Sequence, residues 1–182
     1  MAGLGSAPAR RPWWARLSSR RRRPGNSNRL RIIGGRHRGR TVAFPDARGL
    51  RPTADRIRET LFNWLAPRLP GARCLDLFAG SGALGFEAAS RGAARVVLVE
   101  RSAAVVASLR ANRERLAAGA VEIVHQDAAS YLRGAPQPFD IVFLDPPFGD
   151  PGALQASVCP LSDAGWLVAG AGNYLEMSVK TP

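Results

Sequence analysis

The sequence contains few of the residues that disulfide frameworks or metal centres require. Its 182 residues include two cysteines, Cys74 and Cys159, and two histidines. Neither cysteine belongs to a paired metal-ligand spacing, so we expect no metal and no disulfide, as in a reducing compartment. No apolar run approaches the roughly 20 residues of a membrane helix. We therefore predict a cytoplasmic monomer that does not contact a membrane.

Acidic residues are absent from the first 45 positions. Those positions hold 12 arginines, whereas residues 46–182 hold 14 basic and 14 acidic residues, so the net charge of +12 comes entirely from the N-terminal part. Lysine is also scarce, with Lys180 the only one, and this fits a GC-rich coding bias. Such a bias does not explain the missing acids. A basic block of this kind indicates contact with a polyanion, most simply nucleic acid.

The chain divides into an arm and one folded domain. Residues 1–28 are rich in Pro, Gly, Ser and Arg without apolar periodicity, which predicts a disordered Arg-rich arm. The same composition also fits an organellar transit peptide. For residues 29–182 we predict one domain, with a hairpin and a helix over 29–70 and an α/β core over 71–182. Gly34 and Gly35 lie near the predicted bend of the hairpin.

From Arg73 onward, short β-rich runs alternate with helical stretches. This alternation predicts a mostly parallel sheet with helices on both faces. We expect strands at "ARCLDLF", "ARVVLVE", "AVEIVHQ", "FDIVFLD" and "NYLEMSV", and a helix near 152–158. Ligands of such sheets bind beyond the carboxyl ends of the strands. Before this core, "RPTADRIRETLFNWL" predicts a helix with Thr53 as N-cap.

A glycine-rich turn follows the first core strand. Gly80, Gly82 and Gly85 have the G-x-G-x-x-G spacing, and Glu100 ends the next strand 18 residues after Gly82. An acid there is placed to bind a ribose diol. The spacing alone fits NAD as well as an adenosyl cofactor, and it also fits a tight turn with no ligand.

Asp76 favours one of these cofactors. A carboxylate beside the loop would repel the pyrophosphate of a dinucleotide but would attract the ammonium and sulfonium groups of S-adenosylmethionine. We therefore predict S-adenosylmethionine. Asp127, which follows the third strand, is placed either to accept a hydrogen bond from the adenine amine or to cap a helix.

The segment "FLDPPFGD" places a carboxylate at the end of a buried strand, followed by two prolines and an aromatic ring. Pro146 and Pro147 restrict the backbone around Asp145. The Asp145 carboxylate and the Pro146 carbonyl can each accept one N–H of an exocyclic NH2, while Phe148 offers a ring for stacking. These contacts shift the nitrogen toward sp3 geometry and make its lone pair available to a methyl donor. A structural alternative is that D-P-P only ends the strand.

Other methyl acceptors fit less well. Methylation of a pyrimidine carbon requires a Cys nucleophile, and neither Cys lies at a strand end near the loop. Adenine-N6 or protein-glutamine methylation remains an alternative, as does an inactive RNA-binding protein. An NAD-dependent oxidoreductase is a more distant one.

Four segments resemble the RsmD family of bacterial 16S rRNA guanine-N2 methyltransferases: "RIIGGRHRGR", "GLRPTADRIRETLFNWL", "CLDLFAGSGALGFEAASRGA" and "IVFLDPPF". The likeness covers residues 29–178. It implies a Rossmann-like class I S-adenosylmethionine-dependent methyltransferase fold and a guanine in the RNA of the small ribosomal subunit as substrate. It further implies that the family's last sheet hairpin is missing from this chain.

The resemblance also assigns site residues. The catalytic corner would comprise Asp145, Pro146, Pro147 and Phe148. The cofactor would be held by Asp76, Phe78, Ala79, Gly80, Gly82, Glu100, Asp127 and Ala128. Independently of the resemblance, basic residues around the hairpin and the first helix could form one basic face beside the sheet, and we expect RNA contacts from Arg36, Arg38, Arg40, Arg51, Thr53 and Arg56.

Overall fold

The computed structural model describes residues 28–46, 55–146, 161 and 165–175. An N-terminal hairpin pairs β1 (Asn28–Arg31) with β2 (Thr41–Phe44) through a 3-10 turn at Gly35–His37. Helix α1 (Asp55–Leu65) follows. The remaining elements are β3 (Arg73–Asp76), α2 (Ala83–Ser90), β4 (Arg95–Glu100), α3 (Ala103–Leu116), β5 (Val121–His125), α4 (Ala128–Leu132), β6 (Phe139–Leu144) and β7 (Leu167–Leu175).

The core strands form one five-stranded sheet in the order β5-β4-β3-β6-β7, and all neighbouring pairs are parallel. The chain builds outward from β3 to β5, and then crosses to β6 on the other side of β3. Strand order therefore reverses between β3 and β6. Open parallel sheets bind ligands at this kind of switch point, beyond the carboxyl ends of the strands. The predicted fold class is confirmed.

Side chains alternate between the two faces of the sheet because successive residues of a strand point to opposite sides. One face carries Cys74, Val96, Leu98, Ile141 and Phe143, and it packs in the same core cluster as side chains of the hairpin, α1, α2 and α3. The other face carries Leu75, Val97, Val99, Val142 and Leu144, and it packs with Leu132 of α4 and with Trp166. The hairpin and α4 thus lie on opposite faces.

The N-terminal hairpin is fastened to α3 by side-chain hydrogen bonds to its backbone. Asn112 accepts a hydrogen bond from the Ala43 N–H at 3.0 Å and donates to the Ala43 carbonyl at 2.6 Å. Ser108 donates to the same carbonyl at 2.8 Å. Arg115 of α3 bonds the Thr41 carbonyl. Because α3 leaves the carboxyl end of β4 and returns to the amino end of the sheet, these contacts fix the hairpin's direction along the sheet.

Several predicted elements differ from the structure or lie outside its described residues. Strand β7 begins at Leu167, six residues before the predicted start, because its first half is the weakly patterned "LVAGAG". The helix expected near 152–158 and the Thr53 cap lie outside the described residues. Among the helices that the structure describes, none is both long and apolar enough to cross a membrane.

Candidate functional site

The glycine loop joins β3 to α2, and backbone conformation or close packing requires glycine at its three glycine positions. Gly80 and Gly82 adopt positive φ values of 50° and 77°, a left-handed conformation that suits glycine. A Cβ on Gly82 would lie 2.7 Å from carbons of Leu109 and Phe86. A Cβ on Gly85 would lie 2.1 Å from Leu98 Cδ2, so its absence lets α2 approach β4 closely.

Asp76 ends β3 directly before this loop and is 2% exposed. Burial, together with the negative charges of Asp145 and Glu100, raises its pKa to about 7, although backbone N–H groups of Phe78 and Gly85 oppose the rise. Its Oδ1 atom has no hydrogen-bond partner among the described residues. A buried carboxylate with an unused acceptor is costly without a ligand, and a cationic ligand would stabilise its ionised form.

Glu100 ends β4 and holds the neighbouring backbone in place. Its two carboxylate oxygens accept hydrogen bonds from Gly80 N at 3.0 Å and Ser102 N at 2.7 Å. Each oxygen keeps a second lone pair, so the carboxylate can still accept from a ribose diol. Glu100 therefore links the glycine loop to the start of α3, in the position predicted for a ribose-binding acid.

Phe78 and Ala79 lie between Asp76 and the glycines. Ala79 is buried, and its N–H donates to the Val99 carbonyl at 3.0 Å. Phe78 is partly buried and packs against the core cluster on the α4 side of the sheet. These contacts fix the path of the loop along β4.

Asp127 follows β5 and caps α4. It is exposed and accepts a hydrogen bond from the Ser130 N–H at 2.9 Å. Hydrogen bonds from Ser130 lower its pKa, which keeps the cap ionised. Of the two roles considered for Asp127, the helix cap is confirmed and the adenine contact stays a prediction. Ala128 beside it is buried, 9% exposed.

The predicted catalytic corner begins where β6 ends. Asp76, the last residue of β3, is in register with Phe143 of the adjacent parallel strand β6. Asp145 follows Phe143 by two residues, so it lies just beyond the same edge of the sheet. Asp145 and Pro146 are half-buried, and the charge of Asp145 acts on Asp76. Pro147 and Phe148 lie outside the described residues. Strand pairing thus brings Asp76 and Asp145 to one edge, as the sequence predicted.

The predicted RNA-binding arginines do not all lie at that edge. The turn holding Arg36 packs on Ser90, the last residue of α2, through a 2.9 Å hydrogen bond from His37 N to Ser90 Oγ. Arg40 donates to the carbonyls of Arg115 and Leu116 at the end of α3. Both helix ends lie at the amino edge of the sheet, opposite Asp145.

The predicted set has four other members. Arg38 is exposed on the same turn region, and Arg56 is exposed in the first turn of α1. Arg51 and Thr53 lie outside the described residues. An RNA contact by any of these arginines stays a prediction.

A buried ionic network connects the hairpin to α2, and sequence reasoning missed it. Glu87 and Arg58 have fully buried side chains, with Arg58 Nη1 3.9 Å from Glu87 Oε2. Glu87 also accepts hydrogen bonds from Ile33 N and Gly34 N, each at 2.8 Å, and from Arg91 Nε at 2.7 Å. The available signal was an acid inside the otherwise apolar helix "ALGFEAAS".

Within the described ranges, no group of three or more His, Cys, Asp or Glu side chains is arranged to hold a metal ion. Asp76, Glu100 and the loop backbone suit an adenosyl cofactor with cationic groups. S-adenosylmethionine is the cofactor of methyltransferases with this fold, and the residues present fit it.

Comparison with known proteins adds independent evidence. The family model described as Conserved hypothetical protein 95 matches residues 30–182. Ribosomal RNA small subunit methyltransferase D of Escherichia coli is 51% identical over 154 residues, covering 85% of this chain and 77% of the relative. The protein of the same name from Haemophilus influenzae is 42% identical over 163 residues, covering 87% and 84%.

A solved structure agrees with these relatives. The putative methyltransferase yhhF from Escherichia coli superposes with a TM-score of 0.74 at 49% identity, covering 79% of this chain and 78% of that one. Fold, family model and sequence identity therefore lead to the same assignment. The chain belongs to the Conserved hypothetical protein 95 family, which is the RsmD family of methyltransferases.

Proposed function

We propose that the chain transfers the methyl group of S-adenosylmethionine to the exocyclic N2 amine of a guanine in the 16S rRNA of the small ribosomal subunit. Two relatives named ribosomal RNA small subunit methyltransferase D support the RNA class. The observation that carries the proposal is that two carboxylates, Asp76 and Asp145, lie at the carboxyl ends of the adjacent strands β3 and β6, where the charge of one acts on the other. Asp76 suits the cationic methyl donor, and Asp145 suits the amine that accepts the methyl group.

On the donor side, the protein binds and orients the cofactor, which when bound supplies an electrophilic methyl group. Asp76, once ionised, attracts the cofactor's positive charge from a buried position where screening by water is weak. Glu100 accepts from the ribose while its hydrogen bonds to Gly80 and Ser102 hold the loop. We propose Asp127 as acceptor for the adenine amine, a role that its cap hydrogen bond leaves open.

On the acceptor side, Asp145 and the Pro146 carbonyl accept the two hydrogens of the guanine N2 amine. The amine's lone pair is delocalised into the ring, and these two hydrogen bonds draw the hydrogens out of the ring plane. A hydrogen bond to a charged partner contributes about 1.5–3 kcal/mol. Phe148 is proposed to stack on the base, a contact worth about 1–3 kcal/mol per base. Orientation of the amine further lowers the barrier.

Proton balance requires one further step. Methylation leaves the guanine nitrogen with an extra proton, which Asp145 or water then accepts. No proton has to be removed before attack, because the pyramidal nitrogen already carries an available lone pair. The target guanine must leave its stack or pair to reach this corner, at a cost of a few kcal/mol.

The test uses folded protein, labelled S-adenosylmethionine and small subunits that lack the modification. Nucleoside analysis of the digested 16S rRNA should show N2-methylguanosine as the labelled product. Label in N6-methyladenosine, or in ribosomal protein alone, would replace the proposal by adenine-N6 or glutamine methylation. Absence of any labelled product, despite cofactor binding, would support an inactive RNA-binding protein.

A further inference from the structure

The N-terminal hairpin presents a concentrated positive surface. Within the described residues 28–46, five arginines are exposed and the single acid is Asp46 at the end. They are Arg29, Arg31, Arg36, Arg38 and Arg40. Three of them, Arg36, Arg38 and Arg40, surround the 3-10 turn, and we name these three the amino-edge patch. Arg40 contacts the last turn of α3, which also carries the exposed residues Arg113 and Arg115. One exposed acid, Glu114, lies between them.

Close packing fixes the position of this patch. A Cβ on Gly35 would lie 1.9 Å from the Ser90 carbonyl oxygen, so only glycine lets the turn approach α2 this closely. Ser90 Oγ accepts from His37 N and donates to the Gly34 carbonyl. Helix α2 starts at the glycine loop and ends at Ser90, so the patch is carried by the end of α2 remote from the loop.

The patch borders an open groove at the amino ends of two strands. Arg36 lines this groove of about 600 Å³ together with Ala94 and Ala120, which directly precede β4 and β5, and with other Ala and Gly residues. Small side chains leave room for a bulky polyanion beside the arginine. The buried side chain of His37 lies next to the patch in sequence. Burial lowers the pKa of His37, and the positive charges of Arg36 and Arg40 lower it further.

The patch and the catalytic corner therefore lie at opposite edges of one sheet. Strand β4 has six residues, which at about 3.3 Å per residue gives a separation of about 20 Å. One nucleotide cannot bridge that distance. An RNA strand stacked at about 3.4 Å per step needs about six steps to reach from one edge to the other.

We propose that the amino-edge patch is a second RNA-binding surface, which contacts the phosphate backbone of the substrate rRNA about one strand length away from the modified guanine. The inference rests on the proposed function, because it assumes an RNA substrate. It assigns Arg36 and Arg38 to anchoring the RNA and not to positioning the reacting base. The substrate is then a folded RNA that extends along the hairpin from one edge of the sheet to the other.

Salt-dependent binding tests this assignment without turnover. Filter binding of cofactor-free protein to small subunits would compare wild type, Arg36→Ala, Arg38→Ala and the double variant. Each lost phosphate contact should reduce the slope of log binding constant against log salt concentration by about 1 in magnitude. It should also weaken binding about eightfold at 0.1 M salt. Arg133→Ala is the matched control, since Arg133 is exposed and follows α4 on the opposite face.

Two further readouts separate this inference from the proposed function. The affinity for S-adenosylmethionine should stay within twofold of wild type, because the patch lies at the edge of the sheet opposite Asp76 and Glu100. Hydroxyl-radical probing should show a stretch of 16S backbone that wild type protects and the double variant releases. If the methylated nucleoside is not N2-methylguanosine but these effects are seen, the second surface stands and the proposed chemistry fails.

Two results would overturn the inference. One is a salt slope and affinity for the double variant that match Arg133→Ala. The other is weaker binding with unchanged protection of the RNA backbone, which would assign the patch to a ribosomal protein.

Discussion

The raised pKa of Asp76 predicts that cofactor binding depends on pH. Burial and the charges of Asp145 and Glu100 raise this pKa to about 7 in the cofactor-free protein. A cationic cofactor binds the ionised form, so the apparent Kd increases by the factor 1 + 10^(pKa − pH) as Asp76 takes up a proton. This factor is about 33 at pH 5.5 and about 2 at pH 7.0, so binding should weaken about 16-fold as the pH falls from 7.0 to 5.5.

Isothermal titration of S-adenosylmethionine at pH 5.5, 6.0, 6.5 and 7.0 measures this dependence. The window stays below about pH 7.7, the pKa at which an α-amino group is half deprotonated. Asp76→Asn is the matched control, because it keeps the shape and removes the titration. Its affinity should be low and nearly flat over the same window. A wild-type Kd that changes less than twofold, or an equal pH dependence in Asp76→Asn, would refute the assignment.

The raised pKa of Asp76 also affects folding stability, in the opposite direction: cofactor binding strengthens as pH rises, whereas the contribution of Asp76 to stability is lost. The folded-state pKa lies above the ordinary aspartate pKa of 3.8, so folded protein binds the Asp76 proton more tightly than unfolded protein does. This contribution is present at low pH and is lost as pH rises through 7. Without cofactor, Asp76→Asn should therefore gain stability over wild type as pH rises from 6 to 8. Denaturant titrations of both proteins at the two pH values measure the difference.

The packing contacts give three further predictions. Gly39→Ala places a Cβ at a positive φ of 82° with nothing within 4 Å, and should lower the free energy of unfolding by about 1–2 kcal/mol. Gly35→Ala has a similar φ of 71°, but its Cβ would also strike the Ser90 carbonyl, so it should cost about 1–3 kcal/mol more than Gly39→Ala; equal values in urea titrations would contradict the close approach. Glu87→Gln removes the buried anion that lies 2.7 Å from Arg91 and 3.9 Å from Arg58, so that Arg58 keeps only the exposed carboxylate of Asp55. This change should cost about 3–5 kcal/mol, partly recovered by adding Arg58→Met; no recovery would refute the pairing of Glu87 with Arg58. Burial raises the pKa of the Cys74 thiol to about 12, so iodoacetamide at pH 8 should label it only in urea, as mass spectrometry can show.

The sequence was sufficient for the order of the core elements because their patterns are strong. The run "RVVLVE" became β4 with alternate residues in the two core clusters, and G-x-G-x-x-G marked the start of α2. It also predicted that Asp76, Glu100 and Asp127 lie at strand ends, since parallel strands share one carboxyl edge. Local sequence dominates at these positions, where a strand must end and a tight turn must begin.

Features set by tertiary contacts could not be predicted in this way. The position of Arg36 depends on the packing of the turn against Ser90, a contact between residues more than fifty positions apart. The Glu87–Arg58 pair arises because three elements converge on one buried site, which no local pattern records. Asp127 fitted two roles from sequence, and only the hydrogen bond to Ser130 established the cap.

Single-turnover methylation by Asp145→Ala tests the central claim most directly. The reaction would use excess enzyme saturated with S-adenosylmethionine, small subunits that lack the modification, and wild type as reference. We predict that the rate of N2-methylguanosine formation falls below detection while the cofactor Kd stays within twofold of wild type. Methylation at an undiminished rate, or equal loss of cofactor binding, would show that Asp145 does not hold the acceptor amine.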